Sequence, residues 1–330
     1  MARYLFYEIR VRFDDRSLKS RTLLSPDTTL FVFVLGEDVE VGTRGLTTGL
    51  LEEFGSERVK DTPISEAGFV GFATGAAMEG RRPVVEFQIN TMVFQAFDQI
   101  VNNAAKFHLM SGGGLRVPVT YIFPASGAAL GSAAQHSDHP YSYLLHAGVK
   151  TVVPAMADDA YGLLVTAIRD DDPVAVFSPA LIQGRRAEVP DGSHLVPLGV
   201  GRVHREGTDV TVVAVGPLVS VAIKVAGELA EQGVSVEVWD PRTLLPLDHD
   251  GLARSVEKTG RLVIFDDSNR TCGFAAEVAA FGAQDLYSHL RAPVQRVTRA
   301  DVPISYSLPL EAAALPRAET LEGAVRAVIE

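Results

Sequence analysis

The chain carries the stretch Asp61-Thr62-Pro63-Ile64-Ser65-Glu66-Ala67-Gly68, followed directly by Phe69-Val70-Gly71-Phe72-Ala73-Thr74-Gly75-Ala76-Ala77-Met78. The first part is typical of a turn, because proline fixes one backbone angle and Asp, Thr and Ser side chains hydrogen-bond nearby backbone groups. The second part is small and apolar and contains several glycines, which favours a helix that another element can approach closely. One carboxylate, Glu66, stands at the predicted start of that helix.

Glu66 has two interpretations on position alone. An acidic residue in the first turn of a helix is common, because the positive end of the helix dipole stabilises a negative charge there. Alternatively, Glu66 lies at the edge of a packed interface, where a carboxyl group removed from water can exchange its proton with a buried base. The position in the sequence leaves both interpretations open.

Length and composition are those of a globular protein with two domains. The chain has 330 residues, of which 47% are apolar and 22% charged, a composition that can bury two cores and is too apolar for a disordered chain. The formal net charge of −11 argues against binding to nucleic acid. The single cysteine, Cys272, excludes an intramolecular disulfide and any metal site built from several cysteines. These features favour a cytoplasmic protein, and no apolar stretch is long enough to cross a membrane.

The segment before Leu30 gives the weakest signal. Residues Leu5 to Phe13 alternate as an edge strand does, and residues Asp14 to Pro26 are polar with weak helical spacing. Met1 to Phe13 lacks the unbroken apolar core of a signal peptide. The sequence therefore assigns no role to residues 1–29.

Apolar runs alternate with helical patterns through the rest of the chain, which predicts a mostly parallel sheet covered on both faces. The first run, Leu30 to Leu35, ends at Gly36-Glu37-Asp38, as a buried parallel strand ends at a functional loop. A long amphipathic helix is predicted from Phe94 to Met110. A polar segment from Gly184 to Gly199 separates a first series of strands and helices from a second. We therefore predict an α/β fold of two doubly wound domains, at residues 1–185 and 195–330.

The chain lacks the common sequence motifs for nucleotides and for serine nucleophiles. It has no glycine-rich dinucleotide fingerprint, no phosphate-loop lysine motif and no nucleophile elbow. His136 and His139 are three residues apart, but no third ligand accompanies them and Pro140 favours a loop, which argues against a transition-metal site. His136 follows a loop of small residues, where it is either a proton carrier or a histidine bonded to backbone. Glu66 and His136 are thus candidates on loops at the carboxyl ends of parallel strands, where ligands tend to bind.

Several motifs, taken in order, are similar to those of one known family. They are Phe31-Val32-Phe33-Val34-Leu35-Gly36-Glu37-Asp38, the Asp61-to-Gly68 stretch, Phe97-Asp98-Gln99-Ile100-Val101-Asn102, Ser111-Gly112-Gly113, Gln135-His136-Ser137, Ala167-Ile168-Arg169-Asp170, Asp240-Pro241-Arg242-Thr243-Leu244, Gly273-Phe274-Ala275-Ala276-Glu277 and Arg296-Val297-Thr298. From about Leu30 onward the chain resembles the β subunit of the thiamine-diphosphate-dependent dehydrogenase component of 2-oxoacid dehydrogenase complexes, of the pyruvate, branched-chain and acetoin type. The resemblance implies a pyrimidine-binding domain and then a transketolase C-terminal-like domain, in an α2β2 assembly.

The resemblance also implies roles for individual residues. Glu66 matches the glutamate that hydrogen-bonds the ring nitrogen of the cofactor's aminopyrimidine, where a shared proton favours the imino form that removes the thiazolium proton. His136 matches the histidine that assists transfer of the acyl group to a lipoyl carrier. Glu37 and Met92 are expected beside the cofactor, and Met92 stands where the family usually has an aromatic residue that stacks on the ring.

The phosphate half of the cofactor is expected on another chain. The family holds the diphosphate and its Mg²⁺ with a Gly-Asp-Gly motif on the α subunit, and this motif is absent here. The resemblance therefore implies an α subunit as partner and weak cofactor binding by this chain alone. It also implies a monovalent cation, K⁺, near the backbone of Thr120 and Ala167 and the side chains of Asp170 and Asp172. Solvent-exposed aspartates at a helix end are the alternative interpretation there.

Two enzymatic functions are compatible with these motifs. The first is the β subunit of a dehydrogenase that decarboxylates a 2-oxo acid and passes the acyl group to a lipoyl acyltransferase. The second keeps the cofactor but joins the decarboxylated fragment to an aldehyde or ketone, as a carboligase does. Met92 and a loop from Val39 to Leu46 that is shorter than usual motivate the second function. A third hypothesis, a degenerate subunit kept for assembly, conflicts with the presence of both Glu66 and His136.

Overall fold

The computed structural model describes residues 3–4, 32–127, 131–179, 182, 186–187 and 194–330. The predicted edge strand from Leu5 to Phe13 and half of the predicted linker from Gly184 to Gly199 lie outside these residues. The chain divides into two compact units. The first contains Met1–Ser126, Tyr143–Val152 and Met156–Pro197, and the second contains Gly127–Ser142, Val153–Ala155 and Leu198–Glu330. The predicted domain limits, 1–185 and 195–330, stay a prediction.

Parallel strands form the main sheet of the first unit, as the buried apolar runs of the sequence predict. Its strands are β2 (Val32–Gly36), β3 (Val59–Asp61), β4 (Arg82–Glu86), β5 (Thr120–Ser126), β6 (Lys150–Val152) and β7 (Val174–Pro179), and a separate antiparallel pair is formed by β1 (Arg3–Tyr4) and β8 (Arg186–Ala187). The main strands lie in the order β6-β7-β5-β4-β2-β3, and each neighbouring pair is parallel. This order places the carboxyl ends of β2 and β4 next to each other.

Helices alternate with these strands. In chain order they are α1 (Leu50–Phe54), α2 (Glu66–Met78), α3 (Ala105–Met110), α4 (Ala133–His136), α5 (Tyr141–His146) and α6 (Ala157–Arg169), of which α4 belongs to the second unit. The loop after β2 is fixed by its own apolar residues, because Val39 and Leu46 are buried in one cluster with Val34 of β2 and Val84 of β4. The short loop from Val39 to Leu46 is therefore held against the sheet.

The predicted helix from Phe94 to Met110 is helical but not uniform. Its first three residues belong to a 3-10 helix, Asn90–Ala96, its middle widens to a π-helix at Gln99–Ala104, and it ends as α3. Within it, the Asn103 side-chain amide lies 3.3 Å from the Asp98 carbonyl oxygen and 3.4 Å from an Asp98 carboxylate oxygen. A π-helical turn brings residues five positions apart together, and the regular amphipathic period used for the prediction does not contain this irregularity.

The second unit has a mixed sheet. Its strands are β9 (Arg202–Arg205), β10 (Val210–Ala214), β11 (Val236–Asp240), β13 (Leu262–Asn269) and β14 (Gln295–Arg299). A short strand, β12 (Thr243–Leu245), follows β11 in the chain and is not part of this five-stranded sheet. The order is β14-β13-β10-β11-β9, in which β9 is antiparallel and the other pairs are parallel. Its helices are α7 (Leu218–Ala230), α8 (His249–Thr259), α9 (Phe274–Gln284), α10 (Leu308–Ala314) and α11 (Ala318–Ile329).

The predicted α/β class with two sheet-and-helix units is confirmed. The sequence did not predict β3, β9 or α10. β9 consists of Arg-Val-His-Arg and has no apolar run, and α10 opens with Leu308 and Pro309, which suggest a turn when read alone. Within the described residues, no helix is both long enough and apolar enough to span a bilayer.

Candidate active site

Strands β2 and β4 end side by side in the first unit. Gly36, the last residue of β2, is paired with Glu86, the last residue of β4. A Cβ atom at position 36 would lie 2.3 Å from the carbonyl oxygen of Glu86, far inside van der Waals contact. Glycine is therefore required at position 36. Glu37 is the next residue in the chain and follows directly after the Gly36–Glu86 pair.

Glu66 is the first residue of α2 and is 5% exposed. Ser65 before it makes no side-chain cap, although the Ser65 carbonyl oxygen accepts the Phe69 amide at 2.9 Å. In the part of the chain that the structure describes, no group donates a hydrogen bond to the Glu66 carboxylate. A buried carboxylate is stabilised by donors, so Glu66 is positioned to bond a donor from outside this unit.

Glu37 lies close enough to Glu66 for the two carboxylates to repel each other. Burial raises the pKa of Glu37 above its ordinary value, and repulsion from Glu66 and Asp38 raises it further. The Oε1 atom of Glu37 is buried and has no hydrogen-bond partner within the described residues. The structure thus brings two of the predicted site residues together, with one of them holding its proton more tightly than usual.

Gln88 fixes the backbone around Glu37. Its side-chain amide donates to the Glu37 carbonyl oxygen at 2.5 Å, and its Oε1 accepts from Arg44 Nε at 2.9 Å. Arg44 lies on the short loop between Val39 and Leu46, so this loop is bonded to the site as well as packed on the sheet. The loop therefore restricts how Glu37 can be displaced.

Sequence reasoning missed Glu86, which is 1% exposed. Neither of its carboxyl oxygens has a hydrogen-bond partner within the described residues. Burial raises the pKa of Glu86 to about 8, although attraction to Arg44 lowers it in part. The signal that could have found it is an acidic residue inside the apolar run from Pro83 to Phe87, since strands buried on both faces rarely carry a charge.

We expect Glu86 to make stability fall with rising pH. Its pKa in the folded protein, about 8, is higher than the ordinary 4.5, so between these values the unfolded chain loses a proton that the folded chain keeps. The stabilisation is complete below pH 4.5 and decreases by about 1.4 kcal/mol per pH unit until pH 8. Glu86→Gln should remove this component, giving a flatter free energy of unfolding between pH 5 and 8 in denaturant titrations. Glu52→Gln, at an exposed position of α1, serves as the control and should keep the wild-type slope.

Met92 lies in the 3-10 helix that follows β4 and is half-buried. Its amide donates to the Ile89 carbonyl oxygen at 3.0 Å, which fixes the backbone but not the flexible thioether side chain. The site therefore offers a soft, adaptable surface at this position, and the contact of Met92 with a cofactor stays a prediction.

His136 ends the four-residue helix α4 and is exposed. The Ser137 amide after it donates to the Ala133 carbonyl oxygen at 3.0 Å. His136 belongs to the second compact unit, whereas Glu66, Glu37 and Met92 belong to the first. An exposed imidazole can meet a reacting group that arrives from solvent or from another chain.

Two known domain families match the two parts of the chain. Residues 27–181 match the pyrimidine-binding domain of transketolase, and residues 199–321 match the transketolase C-terminal domain. The chain is 42% identical over 300 residues to the β subunit of acetoin:2,6-dichlorophenolindophenol oxidoreductase from Bacillus subtilis (strain 168), covering 86% of this chain and 87% of that protein. It is 44% identical over 297 residues to the mitochondrial pyruvate dehydrogenase E1 component subunit beta-1 of Arabidopsis thaliana, covering 88% of this chain and 82% of that protein.

The chain belongs to the family of E1 β subunits. This confirms the resemblance drawn from the sequence motifs. A split-gene transketolase, described as an inactive β4 tetramer, has a similar fold, with a TM-score of 0.75 and 24% identity over 91% of this chain and 92% of that one. The roles of Glu66, His136, Glu37 and Met92 in this E1 β subunit stay predictions.

A lysine contacts two of the residues predicted for a monovalent cation. In the E1 β subunit, Lys150 Nζ lies 2.8 Å from Asp170 Oδ1 and 3.0 Å from Asp172 Oδ2. Burial lowers the pKa of Lys150, but the hydrogen bonds to both aspartates raise it above its ordinary value overall. Thr120 is buried in β5, and the Ala167 carbonyl oxygen accepts the Asp170 amide at 3.2 Å. The cation site stays a prediction, and a K⁺ ion at these aspartates would have to share them with an ammonium group.

We expect Lys150→Met to make the E1 β subunit less stable and more responsive to K⁺. Removing the ammonium leaves the Asp170 and Asp172 carboxylates without their main partner, which should lower the free energy of unfolding by about 1–3 kcal/mol. Thermal melting in potassium chloride and in choline chloride at equal ionic strength measures the response, which should exceed that of the wild type. Lys224→Met, which removes an exposed ion pair with Glu228 at 3.8 Å, is the control and should change neither property.

Proposed function

We propose that this E1 β subunit works with an α subunit as a thiamine-diphosphate-dependent dehydrogenase that decarboxylates a 2-oxo acid and passes the acyl group to a lipoyl carrier. The observation that carries the proposal is the buried Glu66 carboxylate, which begins α2 and accepts no hydrogen bond within the described residues. Two relatives at 42% and 44% identity, named as β subunits of an acetoin oxidoreductase and of a pyruvate dehydrogenase, support it.

The residues present fit the aminopyrimidine half of the cofactor. That ring offers a nitrogen and an amino group, and a carboxyl group can donate to the first and accept from the second. Glu66 lacks a donor of its own within the described residues, and the buried Oε1 of Glu37 likewise lacks a partner. The sequence contains no Gly-Asp-Gly motif, so the diphosphate and Mg²⁺ are assigned to the α subunit of an α2β2 assembly.

Thiamine diphosphate, when bound, supplies a carbon nucleophile and an acceptor for the electron pair released with carbon dioxide. Glu66 contributes by holding a proton between its carboxylate and the aminopyrimidine nitrogen. Glu37 keeps its own proton to a higher pH than usual, which limits the negative charge beside Glu66. His136 contributes a proton donor and acceptor for acyl transfer, because a ring nitrogen of imidazole can carry a proton or accept one.

The partners follow from the same proposal. A lipoyl acyltransferase is the acyl acceptor, and the enzyme works in the cytoplasm. The proposal also includes a K⁺ ion bound by Thr120, Ala167, Asp170 and Asp172. Lys150 contacts the two aspartates in this structure. The supporting observations are the relatives' names and the fit of Glu66.

Reconstitution with the α subunit tests the proposal. The chain should be inactive alone, and the assembled protein should release carbon dioxide from a 2-oxo acid and acylate an isolated lipoyl domain. A panel of pyruvate, branched-chain 2-oxo acids and acetoin identifies the substrate class. Full activity of the isolated chain, or no thiamine-diphosphate-dependent turnover of any member of the panel by the assembled protein, would contradict the proposal.

Carboligation is the second candidate, and Met92 is the observation that favours it. A half-buried thioether replaces the flat aromatic surface usual in the family, and it can adapt to a second substrate more readily than a stacked ring. Product analysis with a 2-oxo acid plus an aldehyde, in the absence of lipoyl protein, separates the two candidates. A new carbon–carbon bond formed at the rate of decarboxylation would favour the carboligase over the dehydrogenase.

A further inference from the structure

The residues that follow His136 are held by side chains from two strands of the same unit. Arg299, at the end of β14, donates through Nη1 to Asp138 Oδ1 at 2.9 Å and through Nη2 to the Ser137 carbonyl oxygen at 3.1 Å. The His139 ring nitrogen Nε2 lies 3.4 Å from Asp267 Oδ2 on β13. Three consecutive residues directly after His136 are thus contacted by Arg299 or Asp267.

Arg299 is itself fixed in position. It is 2% exposed, and its Nε donates to Asp267 Oδ1 at 3.1 Å. Burial lowers the pKa of Arg299, but attraction to Asp267 and Asp138 raises it above its ordinary value overall. The guanidinium remains charged and presents its donors in a rigid planar fork. A planar guanidinium that donates to two neighbouring acceptors, here Asp138 Oδ1 and the Ser137 carbonyl oxygen, fixes their orientation as well as their distance.

The chain before His136 is also bonded to another element of the second unit, the helix α10. The Gly131 amide donates to Glu311 Oε2 at 3.0 Å, and Glu311, on α10, is 1% exposed. Between the two attachments, Ala133 has a φ of +65°, a conformation unfavourable for a residue with a side chain. A four-residue helix such as α4 has little stability of its own. The conformation of residues 131–139, the His136 segment, is therefore set by its attachments.

We infer that Arg299, supported by Asp267, is a positioning residue that fixes the His136 segment and thereby the direction in which His136 presents its imidazole. The catalytic consequence rests on the proposed role of His136 in acyl transfer. The positioning itself rests only on the contacts among Arg299, Ser137, Asp138 and Asp267. A purely structural ion cluster is the competing interpretation, and it predicts no effect that depends on His136.

Hydrogen exchange measures the positioning without any assay of activity. In the assembled protein, Arg299→Ala should raise the amide exchange rates of the His136 segment about 10-fold or more, because local opening then breaks fewer bonds. Arg296→Ala is the matched control: it lies on the same strand and donates to a backbone carbonyl, that of Arg270, at 3.0 Å, outside the segment. Asp138→Ala removes the acceptor of the Arg299 Nη1 bond and serves if Arg299→Ala does not fold. Unchanged exchange in the segment, or equal increases throughout the second unit, would overturn the inference.

Kinetics of acyl transfer to a lipoyl domain measure the consequence. Displacing a reacting group by about 1 Å can cost 100-fold, so Arg299→Ala should reduce the transfer rate by 10- to 100-fold, and Arg299→Lys should restore part of the loss. In a His136→Ala background, Arg299→Ala should have no further effect. An equal loss in both backgrounds would show that Arg299 does not act through His136. If His136→Ala alone leaves transfer unchanged, the proposed role of His136 fails, while the exchange experiment still decides the positioning.

Discussion

Replacing Glu66 with glutamine will reduce decarboxylation by the assembled enzyme by at least about 100-fold, the range in which a positioned acid or base contributes. Glutamine has nearly the same shape, but its amide cannot share a proton with the ring nitrogen of the aminopyrimidine. Glu66 accepts no hydrogen bond within the described residues, so the substitution breaks none there and folding should be preserved. Carbon dioxide release at saturating thiamine diphosphate and Mg²⁺ is the measurement.

A matched control exists at the opposite end of the same helix, α2. Glu79 follows the last residue of α2 and is exposed, so Glu79→Gln makes the same chemical change without touching the site and should keep wild-type activity. Glu66→Gln with full turnover would show that the proton is held elsewhere. Equal losses in both variants would instead indicate an effect on the helix or on assembly.

Replacing His136 with alanine will separate two steps of the reaction. We expect acyl transfer to a lipoyl domain to fall about 100-fold, while carbon dioxide release measured with an artificial electron acceptor stays near the wild-type rate. His136 is exposed at the end of α4, and exposed substitutions usually change stability by less than about 0.5 kcal/mol. The loss should therefore be chemical and not a consequence of unfolding.

His146 provides the control for His136. It is also an exposed histidine at the last position of a short helix, α5, and His146→Ala should leave both steps unchanged. A parallel loss of decarboxylation and acyl transfer in His136→Ala would assign the histidine to an earlier step. No loss of acyl transfer would remove His136 from the mechanism.

Much of the fold can be predicted from the sequence because its strands are buried on both faces. Such strands are continuous apolar runs, and the strand predicted from Leu30 to Leu35 lies within two residues of the observed limits of β2, Val32–Gly36. The elements that were missed have no such pattern. β9 is half-buried and basic, and the π-helical turn at Gln99–Ala104 depends on local bonding that apolar periodicity does not reveal.

The candidate site was less predictable than the fold. Glu66 and His136 were found only through motifs. A glutamate at a helix start and a histidine in a loop are common in proteins, so their positions alone did not mark them as site residues. Glu86 and Arg299 carried no motif. Their burial depends on strand pairing between β2 and β4 and on contacts across more than 100 residues of sequence, such as that of Arg299 with Asp138. Long-range pairing of this kind cannot be derived from composition or periodicity.

The membership of residues 127–142 in the second unit affects any attempt to express the protein in halves. A fragment ending near residue 185 would retain α4 but lack β13, β14 and α10, from which Asp267, Arg299 and Glu311 arise. Such a truncated product would contain the loop of the His136 segment without the contacts that fix its conformation. Complementation between separately produced halves would then report on whether that loop regains its shape.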